Sequence, residues 1–258
     1  MLAASRRSLL LNRLARDGRI VAKDLAVELG VSEDTIRRDL RELDAEGLAV
    51  RVYGGALPAS PAVADYAART RVAPDSKSRV AAAAAGLITP GMTVILDGGT
   101  TALATVAALP RDLDCTIITH SVTVAAALLE HRAPVLVIGG PLFKHSAVAC
   151  GAAAAEAALG VSADLFLLGV TGVHADAGLT TGDADEAAMK RTLSSRAAET
   201  YVMASEEKIG AASRFAVLGL DEVTGVITDA DPSLASMRAL ADAGVRLVGA
   251  GVAPGGRA

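Results

Sequence analysis

The chain has 258 residues, of which 52% are hydrophobic, 21% charged and 2% aromatic, with a formal net charge of −4. That length supports a true core without disulfide or metal staples, as one large domain or a small domain joined to a medium one, and the charge content excludes a wholly disordered chain. Three Phe, three Tyr and no Trp leave too few rings for a single-stranded nucleic-acid platform or an aromatic carbohydrate cleft.

Cys115 and Cys150 lie far apart and the four histidines show no ligand spacing, so neither a zinc site nor a cofactor is expected and the cysteines read as small buried hydrophobes. Behind Arg6 and Arg7 the apolar run is only Leu9 to Leu11, and no apolar stretch reaches spanning length without Gly, Pro or charge. No signal peptide and no membrane segment are expected, which points to a soluble, cytoplasmic protein.

In chain order, Leu9, Leu10 and Leu14 stripe a helix over residues 5–16 that stops at Asp17-Gly18. A second short helix covers 23–29, and Gly30 turns the chain. Ser32 is a good N-cap for a third helix reaching about Glu46, with Glu33 and Asp34 in its first turn and Gly47 beyond its end. Residues 48–53 read as a small hairpin closed by Gly54-Gly55. Leu57-Pro58-Ala59-Ser60-Pro61 resists regular pairing and reads as a linker. Composition changes at this point: residues 1–57 carry ten Lys/Arg and nine Asp/Glu, the remainder fifteen and twenty. The expected organisation is a first domain over 1–57, a linker over 58–75 and a second domain over 76–258.

In the second domain strands are expected at 92–96, 116–119, 134–138, 164–170, 200–204, 226–228 and 246–248. Helices are expected at 78–88, 101–108, 122–130, 152–159, 185–197 and 232–243. Continuous apolar strands alternating with helices indicate an α/β fold with a mainly parallel sheet covered on both faces.

Helix, three-residue turn, helix and hairpin make a winged helix-turn-helix order. At about 100° per residue, Leu40 and Leu43 fall within roughly 40° of Ile36. Arg38 and Arg41 then face away, with Thr35 and Arg37 on the flanks. Such a face suits the major groove, where Arg forks to guanine edges or holds phosphates. Ser32 caps the helix that carries this face, and Arg51 and Tyr53 sit in the wing, in reach of backbone or minor groove. The plainer alternative is a solvated helix with i, i+4 pairs such as Asp34–Arg38 and Arg38–Glu42. The turn, the cap and the hairpin together favour DNA. The near-neutral charge predicts weak binding by one copy, so a dimer or higher homo-oligomer is expected on double-stranded operator DNA.

Asp97-Gly98-Gly99-Thr100-Thr101 lies between a strand and a helix. Glycines let a ligand approach the backbone, and N–H groups at a helix start favour an anion; a plain capping turn explains the spacing equally well. Neither GxGxxG nor GxxxxGK[ST] occurs, so dinucleotide and ATP readings lack support. A second group, Gly178-Leu179-Thr180-Thr181-Gly182 followed by Asp183, Glu186 and Lys190, could hold a polyol and its phosphate. Glu186 and Lys190 could equally be a surface ion pair worth only ~0.3–0.5 kcal/mol. Lys77 and Lys208 are single lysines, with a solvated surface as the default.

Residues 6–56 resemble the DNA-binding domain of the DeoR family of bacterial repressors of sugar metabolism. The run Val31-Ser32-Glu33-Asp34-Thr35-Ile36-Arg37-Arg38-Asp39-Leu40 carries the likeness, with Leu43, Gly47, Arg51, Val52, Tyr53, Gly54, Gly55 and Ala56; Tyr53 stands where the family commonly has His. From about Lys77 to Asp229 the chain resembles the family's sensor domain, which is similar in fold to ribose-5-phosphate isomerase and coenzyme A transferases. The resemblance implies an effector pocket using Asp97, Gly98, Gly99, Thr100, Thr101, Glu186 and Lys190, with Lys77 and Lys208 as further cations. Thr119-His120-Ser121 replaces the family's Thr-Asn-Ser, placing His120 and Ser121 at that pocket with one altered hydrogen bond, and Ser205 stands where the family often has Asp. The implied function is a sequence-specific transcriptional regulator, a repressor of a carbohydrate operon released by a phosphorylated sugar. The rivals are a phosphosugar isomerase-like enzyme with Glu186 as base and Lys190 at the oxyanion, and a nucleoid-type protein without a ligand.

Overall fold

A computed structural model describes residues 3–63 and 66–251; the parts of the three expected segments at 1–2, 64–65 and 252–258 lie outside the described residues. The N-terminal unit contains α1 (Ala3–Asp17), β1 (Ile20–Val21), α2 (Ala22–Leu29), α3 (Glu33–Ala45), β2 (Ala49–Val52) and β3 (Gly55–Pro58). Its core is an aliphatic knot of Leu10 and Leu14 from α1, Leu25 from α2, and Ile36, Leu40 and Leu43 from α3. Each such side chain contributes roughly 1.5–3 kcal/mol on burial. The α3 stripe is the one its spacing predicts. Asp39 also turns inward, where it meets Arg6 of α1 in a buried ion pair.

The hairpin extends beyond its expected span, with strands at Ala49–Val52 and Gly55–Pro58. Arg51 pairs with Ala56 and Ala49 with Pro58, so the supposed start of the linker is the second strand of the wing. Pro58 is tolerated because it ends the strand. β1 adds to the other edge of β3, where Gly55 is required: a Cβ there would lie 1.7 Å from the Ile20 carbonyl oxygen.

Residues 59–63 and 66–72 pack as a strap. Ala212 N–H donates to the Pro58 carbonyl and Ser60 N–H to the Ala212 carbonyl. The Ser60 hydroxyl donates to the Thr171 carbonyl, and α4 (Tyr66–Arg69) is pinned by Tyr66 Oη to Thr123 at 3.0 Å.

The larger unit comprises α5 (Pro74–Ala85), β4 (Thr93–Leu96), α6 (Thr100–Ala108), β5 (Thr116–Thr119), α7 (Val122–Ala127), β6 (Val135–Val137), β7 (Leu142–Phe143), β8 (Val148–Ala149), α8 (Ala152–Leu159), β9 (Ala163–Gly169), β10 (Gly172–His174), β11 (Gly178–Thr181), α9 (Ala184–Ser194), β12 (Ala197–Met203), β13 (Phe215–Leu218), β14 (Gly225–Thr228), α10 (Ala235–Asp242) and β15 (Leu247–Gly249). Seven strands form a parallel sheet in the order β15-β14-β12-β9-β4-β5-β6. Alternate β9 residues feed opposite cores: Phe166 and Leu168 enter one, Leu165 and Leu167 the other. Both faces are therefore buried, which is why the strands read as unbroken apolar runs. Cys115 and Cys150 are buried free thiols.

The helix over 78–88 instead begins at Pro74, a favoured first position, and the one over 122–130 ends as a 3-10 turn at Leu128–Glu130. Two small antiparallel sheets, β10-β11-β13 and β7-β8, escaped the sequence reading because their strands are only two to four residues long.

From β4 the chain winds outward through β5 and β6; from β9 it winds the other way through β12, β14 and β15. The winding reverses between β4 and β9, and ligand crevices open beyond the carboxyl ends of strands at such a switch point.

Candidate functional site

On the N-terminal unit, Ser32 caps α3, accepting from Thr35 N–H at 3.2 Å. Arg37, Arg38 and Arg41 are exposed and Thr35 is partly so. Neither alternative pair of Arg38 forms. Arg37 instead meets Glu33 one turn earlier at 2.7 Å, while Arg38 and Arg41 carry no ion pair among the described residues. Arg37, Arg51 and Tyr53 line one cleft between α3 and the wing. The predicted face is thus assembled: two unpaired arginines on the helix and a cationic notch beside it.

In the larger unit, Asp97 follows β4 at the switch point, fully buried. Its Oδ1 accepts from Gly98 N–H at 2.8 Å and lies 2.7 Å from His120 Nε2. Its Oδ2 accepts from Gly169 N–H at 2.8 Å and from Lys190 Nζ at 2.6 Å. Burial opposes ionisation of this carboxyl, yet the Lys190 ammonium and the His120 hydrogen bond hold it well below the usual carboxylate range. Burial likewise opposes the charge of Lys190, but Asp97 and Glu186 outweigh it and raise the ammonium above its ordinary value. His120 Nδ1 lies 2.8 Å from the Ala149 carbonyl oxygen, and Ser121 caps α7. Asp97, His120 and Ser121 therefore do not line the crevice, contrary to expectation. Their polar atoms are spent fastening β4, β9, α9 and the β8 region together behind it.

The crevice in front is lined by Gly98, Gly99, Thr100 and Thr101 at the start of α6 and by Glu186 and Lys190 of α9. Gly99 takes φ +99° as the N-cap, a conformation that only glycine adopts freely. The Glu186–Lys190 pair is buried, at 3.5 Å, and is not a surface ion pair, because α9 lies across the strand ends. Glu186 also accepts from the Thr181 hydroxyl at 2.7 Å.

Lys77 and Lys208 converge here from α5 and from the 3-10 turn Glu206–Lys208, overturning the surface default. Lys77 Nζ donates to the Arg69 and Val72 carbonyls, closing the strap, and burial pushes its ammonium down. Lys208 is 6% exposed. Its ammonium approaches the Thr101 hydroxyl at 3.3 Å and forms no ion pair among the described residues. Burial, only partly offset by Glu207, pushes it down to about 8.

The sequence reading missed Arg69. From α4 it reaches the crevice wall, and its Nη2 donates to the His145 carbonyl at 2.7 Å. Only a long-range fold could reveal it, since nothing in the linker sequence marks one arginine above the others. Thr171 and Ser146, also in the wall, arrive from segments read as loops.

A winged helix joined to an α/β unit with a cation-lined crevice at its switch point defines a DNA-binding regulator with a sensor domain. Residues 6–61 match the DeoR-like helix-turn-helix domain and residues 72–230 the DeoR C-terminal sensor domain. The chain is 32% identical to a putative aga operon transcriptional repressor of Escherichia coli O157:H7, over 95% of this chain and 93% of that protein. It is 29% identical to the glycerol-3-phosphate regulon repressor of Escherichia coli K12, over 90% and 93%. Among solved structures it is similar to ribose 5-phosphate isomerase A of Methanocaldococcus jannaschii, with 20% identity and a TM-score of 0.39 over 52% of this chain and 54% of that one. The chain belongs to the DeoR family. Among the described residues, no helix is long and apolar enough to cross a membrane.

Proposed function

We propose that the protein is a repressor of a carbohydrate operon that is released from its operator by a phosphorylated sugar. The observation that carries the effector class is Lys208: a buried ammonium in no ion pair among the described residues, its burial only partly offset by Glu207, beside the uncapped N–H groups that begin α6. Lys77 and Arg69 add positive charge to the same crevice. A phosphate placed there gains three cations and helix-terminal donors, while Glu186, held by the Thr181 hydroxyl, offers a carboxylate to sugar hydroxyl groups. The names of the two relatives, an operon repressor and a glycerol-3-phosphate regulon repressor, agree with this.

Arg38 and Arg41 enter the major groove, Arg37 and Arg51 hold backbone, and a homo-oligomer places helices at half-sites about 10 bp or a multiple apart. Binding without turnover is favoured over the isomerase alternative, because Lys190 is committed to Asp97 at 2.6 Å and is not free to stabilise an oxyanion. The test is an anisotropy titration on promoter fragments from the gene's own neighbourhood, with a panel of sugar phosphates. A preferred fragment that one phosphate releases is expected. Equal affinity for scrambled competitor, with and without the panel, overturns the proposal.

A further inference from the structure

An effector confined to the crevice meets an energetic difficulty. The crevice walls come from Ala62 onward, so no atom of the helix-turn-helix touches a ligand held there. A ligand shifts DNA binding only through contacts that differ between the bound and released arrangements. The crevice is also small, a void of about 30 Å³, where one ordered water needs about 10–15 Å³. It suits a phosphate group and leaves no room for a sugar.

Beside it lies a second void of about 330 Å³ between the two units. The two voids share Ser146, Thr171 and Glu186 as a common wall. On the N-terminal side the larger void is lined by Asp44 and Ala45, at the end of α3, and by Ala49 and Val50 of the wing. On the sensor side Phe143 gives an apolar wall and Arg214 a cation. Asp44 and Arg214, which both line it, meet at 3.7 Å, a loose pair into which hydroxyl groups can insert.

We propose that the effector bridges the two voids, with its phosphate in the crevice and its polyhydroxylated remainder in the interdomain cavity, against the end of α3 and strand β2. The remainder, and not the phosphate, then transmits release, because it alone touches the DNA-binding unit. This rests on the phosphorylated-sugar reading above. It also assigns specificity: crevice residues read the phosphate that all candidate effectors share, and the interdomain residues read what distinguishes them.

The test uses the full chain with inorganic phosphate, glycerol 3-phosphate and a panel of hexose phosphates. Calorimetry reads ligand affinity and anisotropy reads operator affinity. Inorganic phosphate is expected to compete with the tightest-binding hexose phosphate yet to leave operator affinity within about twofold, whereas the hexose phosphate lowers it at least about tenfold. In Phe143→Ala and Arg214→Ala, inorganic phosphate binds within about twofold of the parent and the hexose phosphate at least about tenfold more weakly. Arg214 is largely solvated, so its variant carries the test if Phe143→Ala loses its fold. Release of the operator by inorganic phosphate alone overturns the bridging proposal, as does parental hexose-phosphate affinity in the folded variants. If neither phosphate nor any sugar phosphate binds, the effector class itself falls, and the bridge with it.

Discussion

Lys208→Met separates a ligand-holding lysine from a structural one, because the two effects it produces have opposite signs. Lys208 is buried and holds its proton only up to about pH 8. Against an ordinary ammonium near 10.4, that displacement is roughly 3 kcal/mol held against charge in the ligand-free protein. Methionine keeps the unbranched stem and removes that burden, at the loss of one hydrogen bond to Thr101 worth about 1 kcal/mol. The net gain of about 2 kcal/mol raises the melting temperature by roughly 4–8 °C at about 2–4 °C per kcal/mol. Phosphate affinity moves the other way. A hydrogen bond to a charged group contributes about 1.5–3 kcal/mol, so binding weakens about ten- to hundredfold.

The pH dependence gives a second readout. Between about pH 8 and the ordinary lysine value the unfolded chain binds the extra proton, so the parent's stability rises with pH across that window. Ligand affinity runs the opposite way: it is full below about pH 8 and declines above it, as the crevice loses the charge of Lys208. The variant loses most of both trends. Differential scanning fluorimetry and calorimetry at pH 7 to 9 measure them. A Lys208→Met protein that melts several degrees lower, or binds sugar phosphate as tightly as the parent, refutes the reasoning.

Other substitutions probe the remaining parts. Arg38→Ala, at an exposed and unpaired position, is expected to weaken operator binding by about 1–3 kcal/mol per protomer while leaving effector affinity unchanged; undiminished operator binding removes Arg38 from the interface. Asp97→Asn leaves Lys190 buried without its close carboxylate, a loss of about 3–5 kcal/mol in urea unfolding, and a change below about 1 kcal/mol contradicts the network's role. Because the folded-state carboxyl of Asp97 titrates below its ordinary value, its contribution is present above about pH 3.9 and is lost as the pH falls below that; an acid unfolding profile of the same variant should lack this limb. Thr100→Ala at the start of α6 should blunt release by the effector while operator affinity without effector stays parental, and equal release in parent and variant counts against Thr100 as a ligand contact.

Local signals were sufficient wherever a single element carried the information. The cap at Ser32, the turn at Gly30 and the Ile36-Leu40-Leu43 stripe specify α3 and therefore which arginines face outward. The seven apolar runs specify the strands of the parallel sheet, because strands buried on both faces need no alternation. The glycine-threonine segment after β4 could be read as the start of a helix from its place between strand and helix, and Gly99 is the N-cap of α6.

What stayed hidden depended on residues distant in sequence. Whether Asp97 meets a ligand or a lysine is decided by α9, which brings Lys190 across 93 positions. Whether Lys208 is solvated or desolvated is decided by the packing of its turn against α6. The segment after β3 looks like a tether in composition, yet the backbone pairing of Pro58 and Ser60 with Ala212 and the reach of Arg69 bring it to the sensor wall. Local periodicity determined the elements and their outward faces. Only tertiary packing decided which charges lie in water and which are buried together, since desolvation depends on every neighbour, and that distinction separates a buried lysine from a surface one.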